Sequence, residues 1–156
     1  MIDKNHVWMV LEYPSELQYV ARVIGNIAKM VNNEQVYKML VIPFRSLQPF
    51  LTQPFEILQI GYLKDSEYPT LSGILKINKR IFIEPFFKAE TSIDMKQFKP
   101  FFKRLTKKIE MKNDTKIIIL FYKEIPVWVK IEGRVGAIAP LIKLPKEIEM
   151  QNIESN

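Results

Sequence analysis

Gly73-Ile74-Leu75-Lys76-Ile77-Asn78-Lys79-Arg80-Ile81-Phe82-Ile83-Glu84 is the stretch on which the fold turns. Two runs of β-forming residues flank Asn78-Lys79, and asparagine tolerates the positive φ that a two-residue hairpin turn demands at its first position. With that turn, Ile77 faces Arg80 and Gly73 faces Glu84. Both faces of the hairpin are then largely apolar, which predicts a central position in a sheet.

On the N-terminal side of the hairpin, residues 64–69 read as a polar turn and residues 56–63 as a strand. Three aromatics and two prolines between residues 44 and 55 predict a packed irregular loop, because proline removes a ladder hydrogen bond. Residues 38–43 read as a short strand. Further back, Leu17, Val20, Ile24, Ile27 and Val31 recur at three and four and predict a helix beginning near Pro14. A first strand is expected over residues 6–12.

On the C-terminal side, Asp94 and Gln97 have capping-box spacing. A helix starting there would hold Pro100 in its interior at a cost of about 3 kcal/mol. The expectation is therefore a short turn over 94–98 and a main helix from Pro100 to Lys112, with Phe98, Phe101, Phe102, Leu105 and Ile109 inward. Residues 115–123 form the most hydrophobic strand and should lie in mid-sheet. Residues 124–126 turn it back into strands over 127–131 and 133–138. The whole predicts one α+β domain over residues 1–145, a mixed or antiparallel β-sheet packed with two main helices, and a loose polar tail over 146–156.

Composition excludes several classes of site. The 156 residues include no cysteine, so disulfides, thiolate catalysis and cysteine-held metals are ruled out, and the single histidine, His6, allows no histidine pair. No apolar run approaches the roughly 20 residues of a membrane helix. The N-terminus has no signal-peptide pattern, so a cytoplasmic protein without membrane attachment is expected. Abundant isoleucine and lysine suit a hyperthermophile, and an AT-rich genome would leave the same bias.

The charge is concentrated. Between Lys96 and Lys112 stand Lys96, Lys99, Lys103, Arg104, Lys107, Lys108 and Lys112, seven bases, against Glu110 alone, and the resulting +6 equals the net charge of the whole chain. On a helix Lys96, Lys99, Lys103 and Lys107 follow one ridge while Arg104, Lys108 and Lys112 line the next. Such a stripe suits a polyanion backbone, whose counterions are released as phosphates are neutralised. The expected partner is nucleic acid, DNA first. A solvated amphipathic face and a basic surface meeting an acidic host protein are the bland alternatives, and a membrane-surface helix ranks behind them because the sheet needs its apolar side.

Glu84 ends a nearly all-apolar strand and is followed by Pro85, Phe86, Phe87, Lys88 and Glu90. A carboxylate in apolar surroundings must be paired, metal-bound or protonated. From residue 14 to 123 the expected order of helix, strand, strand, hairpin, helix, strand resembles the αβββαβ core of the PD-(D/E)xK nucleases, with Glu84 where that family carries its (D/E)xK motif. Size, basicity and lack of cysteine are similar to those of the small nucleases of hyperthermophilic archaeal filamentous viruses. Phe86 stands where the family has lysine, and no Pro-Asp dipeptide opens the preceding strand. The resemblance thus implies Lys88 as the catalytic cation and a Mg²⁺ ion held by Glu84 with Asp65, Glu67 or Glu90, for phosphodiester hydrolysis.

Two weaker signals remain. Gly133-Arg134-Val135-Gly136 has the GxxG spacing of an RNA-binding loop, but its flanks read as strands and a tight turn is expected. Trp8, Trp128, Phe82, Phe86 and Phe87 could stack on bases, yet aromatics scattered through strands are expected in the core.

Overall fold

The computed structural model describes residues 37–148. The strand expected over 6–12, the helix beginning near Pro14, His6 and Trp8 lie outside the described residues. In chain order the elements are β1 (Lys38–Pro43), α1 (Phe44–Thr52), β2 (Phe55–Leu63), β3 (Thr70–Ile77), β4 (Arg80–Ile83), β5 (Phe87–Asp94), α2 (Met95–Leu105), β6 (Lys116–Phe121), β7 (Val127–Ile131) and β8 (Arg134–Ile138). The protein is α+β, and of the two sheet types expected the antiparallel one is found, divided between two four-stranded sheets ordered β1-β6-β7-β8 and β4-β3-β2-β5. The second sheet is continuous in sequence and is inserted between β1 and β6 of the first.

Alternation builds the first sheet. Ile117, Ile119 and Phe121 of β6 and Val127, Val129 and Ile131 of β7 point to one side and are all buried. They meet Leu58, Ile60 and Ile93 of the second sheet together with Leu47, Met95, Phe98 and Phe102 of the helices in the main core. The other side of β6 carries Ile118 and Leu120, clustered with Tyr37 and Met39. As expected, β6 lies inside its sheet, paired with β1 on one side and β7 on the other.

The Asn78-Lys79 turn forms as the spacing predicts, with φ of 51° and 65° at its two residues and Ile77 opposite Arg80. Two positive φ values give the turn the twist of the flanking strands. The hairpin is not central, however: β4 is an edge strand, and Phe82 on it is exposed. The strand that completes this sheet, β5, is absent from the sequence reading. Phe87-Lys-Ala-Glu-Thr-Ser-Ile-Asp94 has little apolar alternation and becomes a strand by pairing along β2.

The two edges of the second sheet, β4 and β5, are joined by Glu84, Pro85 and Phe86 alone. Three strand spacings in a flat sheet span about 14 Å, nearly the full reach of the connection from Ile83 to Phe87. The two ends are also displaced along the strands, Ile83 pairing at the level of Ile74 and Phe87 at that of Leu63. The sheet must therefore curl. Register shifts at Phe55/Ile57 and Ile60/Gly61 supply the bend, and Gly61 permits it, since a Cβ there would collide with the carbonyl oxygen of Lys88.

Both helices depart from expectation for one reason. Residues 44–52 form α1 with Pro49 inside it, and α2 starts at Met95 with Pro100 inside it. Each proline is the sixth residue of its helix and exposed, and the residues whose carbonyls lose a partner, Arg45 and Lys96, are exposed as well. Water can take those bonds, so the cost stays below that of a buried break. Apolar burial outweighs it: Leu47 in α1 and Met95, Phe98, Phe102 and Leu105 in α2 are buried. The main helix therefore ends at Leu105 instead of Lys112. Of the tail expected over 146–156, Ile148 is buried against Ile57 and Ile74, and residues 149–156 lie outside the described residues.

Candidate nucleic-acid interface

The Asp94 carboxylate caps α2 by accepting a hydrogen bond from the Lys96 N–H at 2.9 Å. Buried Met95, Phe98, Phe102 and Leu105 recur at three and four and fix one face on the core. That leaves Lys96, Lys99, Lys103 and Arg104 exposed on the rest of the helix. Lys103 and Arg104 fall in its last turn, where cations complement the helix dipole. Arg134 on β8 reaches the same terminus and donates from Nη1 to the Leu105 carbonyl at 3.0 Å.

Beyond Leu105 the basic stretch leaves the helix. Lys108 adopts φ 66° and turns the chain, so Lys107, Lys108 and Lys112 sit on a turn and a loop and do not continue the ridges of α2. All seven cations are exposed nonetheless. The loop is held firmly: Ile109 and Met111 pack on the main core. Thr115 Oγ1 accepts from the Lys112 N–H at 2.8 Å. The carbonyls of Thr115 and Asn113 accept from Phe44 N–H and Arg45 N–H at 2.8 and 2.9 Å, so this loop satisfies two orphan donors of α1. Those bonds bring exposed Arg45 beside the basic loop, an addition that no sequence spacing signals. The ion pairs among the described residues are Lys38–Glu90, Lys76–Glu56 and Lys76–Glu147, and none uses a cation of the stretch 96–112.

The candidate catalytic and metal residues are dispersed. Glu84 is exposed on a hollow of about 440 Å³ lined largely by Phe50, Phe55, Leu71 and Phe82. Lys88 and Asp65 share a different hollow, of about 560 Å³, with Tyr62, Lys64 and Phe86. Glu67 is exposed on the β2–β3 turn and lines neither hollow. Among the described residues no three His, Asp or Glu side chains converge. Glu84 therefore joins no two of Asp65, Glu67 and Glu90 in a group of three acids.

Glu90 has a partner of another kind. It pairs with Lys38 at 2.5 Å, joining β5 of the second sheet to β1 of the first, with side chains only 11% (Lys38) and 16% (Glu90) exposed. The Lys38 ammonium also lies 4.9 Å from the Tyr62 ring centre. Burial alone would lower the Lys38 pKa, but its hydrogen bonds and charge interactions with Glu90 and Tyr62 outweigh that and hold it above its usual value. The second Glu90 oxygen is buried without a hydrogen-bond partner.

The described residues form an α+β fold of two antiparallel sheets with a basic segment whose cations make no ion pairs among them. Comparison with protein families, curated proteins and solved structures finds no match to this chain. No helix among the described residues is long and apolar enough to cross a membrane.

Proposed function

We propose that this protein binds nucleic acid, DNA in the first instance, by laying the phosphate backbone along the surface formed by α2 and the loop that follows it. The observation that carries the reading is that all seven cations of residues 96–112 are exposed and unpaired with any described carboxylate, while the rest of the chain is neutral in net charge. A cationic surface whose charges form no ion pairs among the described residues exchanges its bound anions for phosphates and gains the entropy of the counterions released. The anchoring of Ile109, Met111 and Thr115 supports it further, because cations held in position lose less freedom on binding.

Replacing Lys103, Lys107 and Lys108 together by Ala tests this. Binding to duplex DNA should weaken, and the slope of log K against log salt should fall in magnitude by about 2 to 3 if each lysine neutralises one phosphate. An unchanged slope removes this surface as the contact. Affinity for an acidic protein, without affinity for DNA or RNA, would identify a protein partner instead. Mg²⁺-dependent cleavage by the parent protein that Glu84→Ala abolishes would replace the binding reading by the nuclease one.

A further inference from the structure

Phe86 is the most conspicuous side chain outside the basic segment. It is 73% exposed, and its backbone lies at φ 62°, a left-handed conformation that a bulky residue rarely adopts. Its carbonyl accepts from the Lys64 N–H at 2.8 Å, and the Lys64 ammonium stands 5.5 Å from its ring centre. The connection that carries it is the short link between β4 and β5, which has little slack. An apolar ring is thus held outward in water by a strained and anchored backbone. Strain of this kind persists where surrounding structure enforces it, and it concentrates at binding sites.

The ring borders the hollow shared by Tyr62, Lys64, Asp65, Phe87 and Lys88. Its volume of about 560 Å³ is in the range of small-ligand sites. Two lysines against one aspartate leave the rim cationic, and Phe86 and Tyr62 are among the residues that line it with them. Aromatic faces with cations at their edges suit a flat, polarisable group that carries negative charge at a short distance.

We propose that this hollow takes an unpaired nucleobase of single-stranded nucleic acid, stacked on Phe86, with the adjoining phosphate at Lys64 and Lys88. This rests on the nucleic-acid reading above and narrows it to a strand whose bases are free to splay out. Stacking on an aromatic ring is insensitive to base identity, so the site recognises single-strandedness more than sequence. β5 separates the hollow from the start of α2 by about 24 Å along the strand, which makes it a second contact region separate from the helix.

The test uses a dye-labelled single strand and a duplex of equal length, followed by fluorescence anisotropy. Phe86→Ala should weaken single-strand binding by roughly 5- to 100-fold, leave duplex binding unchanged and leave the salt slope of both unchanged, because no charge is removed. Phe86→Trp should retain binding, and adding the strand should quench its emission more than that of the parent, which holds Trp8 and Trp128. Phe86→Gly should show the same loss as Phe86→Ala together with a higher Tm, since glycine accepts positive φ without strain. A ring present for stability would instead lower Tm when removed. Parent-level single-strand binding by Phe86→Ala, or quenching in Phe86→Trp no greater than the parent's, overturns the proposal. If the Lys103, Lys107, Lys108 triple variant binds both forms normally while Phe86→Ala loses the single strand, the helix reading fails and the hollow stands; the reverse pattern removes the hollow alone.

Discussion

Lys38 and the lysines of residues 96–112 are the same side chain in opposite circumstances. Lys38 is nearly enclosed, paired with Glu90 and packed over Tyr62. Lys96 through Lys112 are exposed and unpaired among the described residues. A buried cation must have its charge answered inside the protein, because removing it from water costs several kcal/mol. An exposed one keeps its hydration and costs the fold almost nothing, which leaves it available to a partner. Position relative to the sheets therefore separates lysines that serve structure from lysines that can serve binding.

The largest test of that contrast removes one member of the buried pair. Lys38→Met leaves Glu90 enclosed and uncompensated, and urea denaturation should show a loss of about 3 kcal/mol. The double variant Lys38→Met with Glu90→Leu should recover most of it; no recovery would mean that packing around Lys38, and not charge, is responsible. The pair also has a pH signature. Because the folded-state pKa of Lys38 is raised above its usual 10.5, its contribution is complete below that value and is lost as pH rises through the folded value. Stability of the parent should therefore fall more steeply above pH 10.5 than that of the double variant.

Arg134→Ala is the intermediate case. It removes a charge-assisted bond to the Leu105 carbonyl at the end of α2, and should cost about 1 kcal/mol in thermal or urea unfolding. At the small end, Ala at Lys103, Lys107 and Lys108 should change stability by less than about 0.5 kcal/mol per site, even as the salt slope of DNA binding falls. A large stability loss in that variant would erase the distinction between the two sets of lysines.

Runs of β-forming residues made much of the fold legible in the sequence. β1, β2, the β3–β4 hairpin and β6 to β8 follow runs such as Lys-Ile-Ile-Ile-Leu-Phe, where β-formers leave one reading. The helices were obscured by proline: Phe44, Leu47 and Leu51 have helical spacing, but Pro49 and Pro100 suggested breaks, and sequence cannot tell that the affected carbonyls face water. β5 is hidden because its strand character comes from β2, a partner 24 to 37 residues away. For the binding surface, composition identified the seven cations and their exposure. It could not supply Arg45, brought there by its own hydrogen bond to Asn113 and that of Phe44 to Thr115, or the outward ring of Phe86, whose place in a β-rich stretch suggests the core.

The insertion of the second sheet between β1 and β6 has a kinetic consequence. β2 to β4 pair with near neighbours in the chain, and so do β6 to β8; β5 meets β2 across 24 to 37 residues, whereas β1 meets β6 only after a loop of about 70 residues is closed, at an entropic cost near 4 kcal/mol. Local pairings form first and the distant one last. Lys38 rides on β1 and meets Glu90 only at that closing step, so the ion pair fastens a structure already assembled. In stopped-flow experiments Lys38→Met should accelerate unfolding and leave the refolding rate nearly unchanged; slowed refolding would move the closure of β1 to an early step.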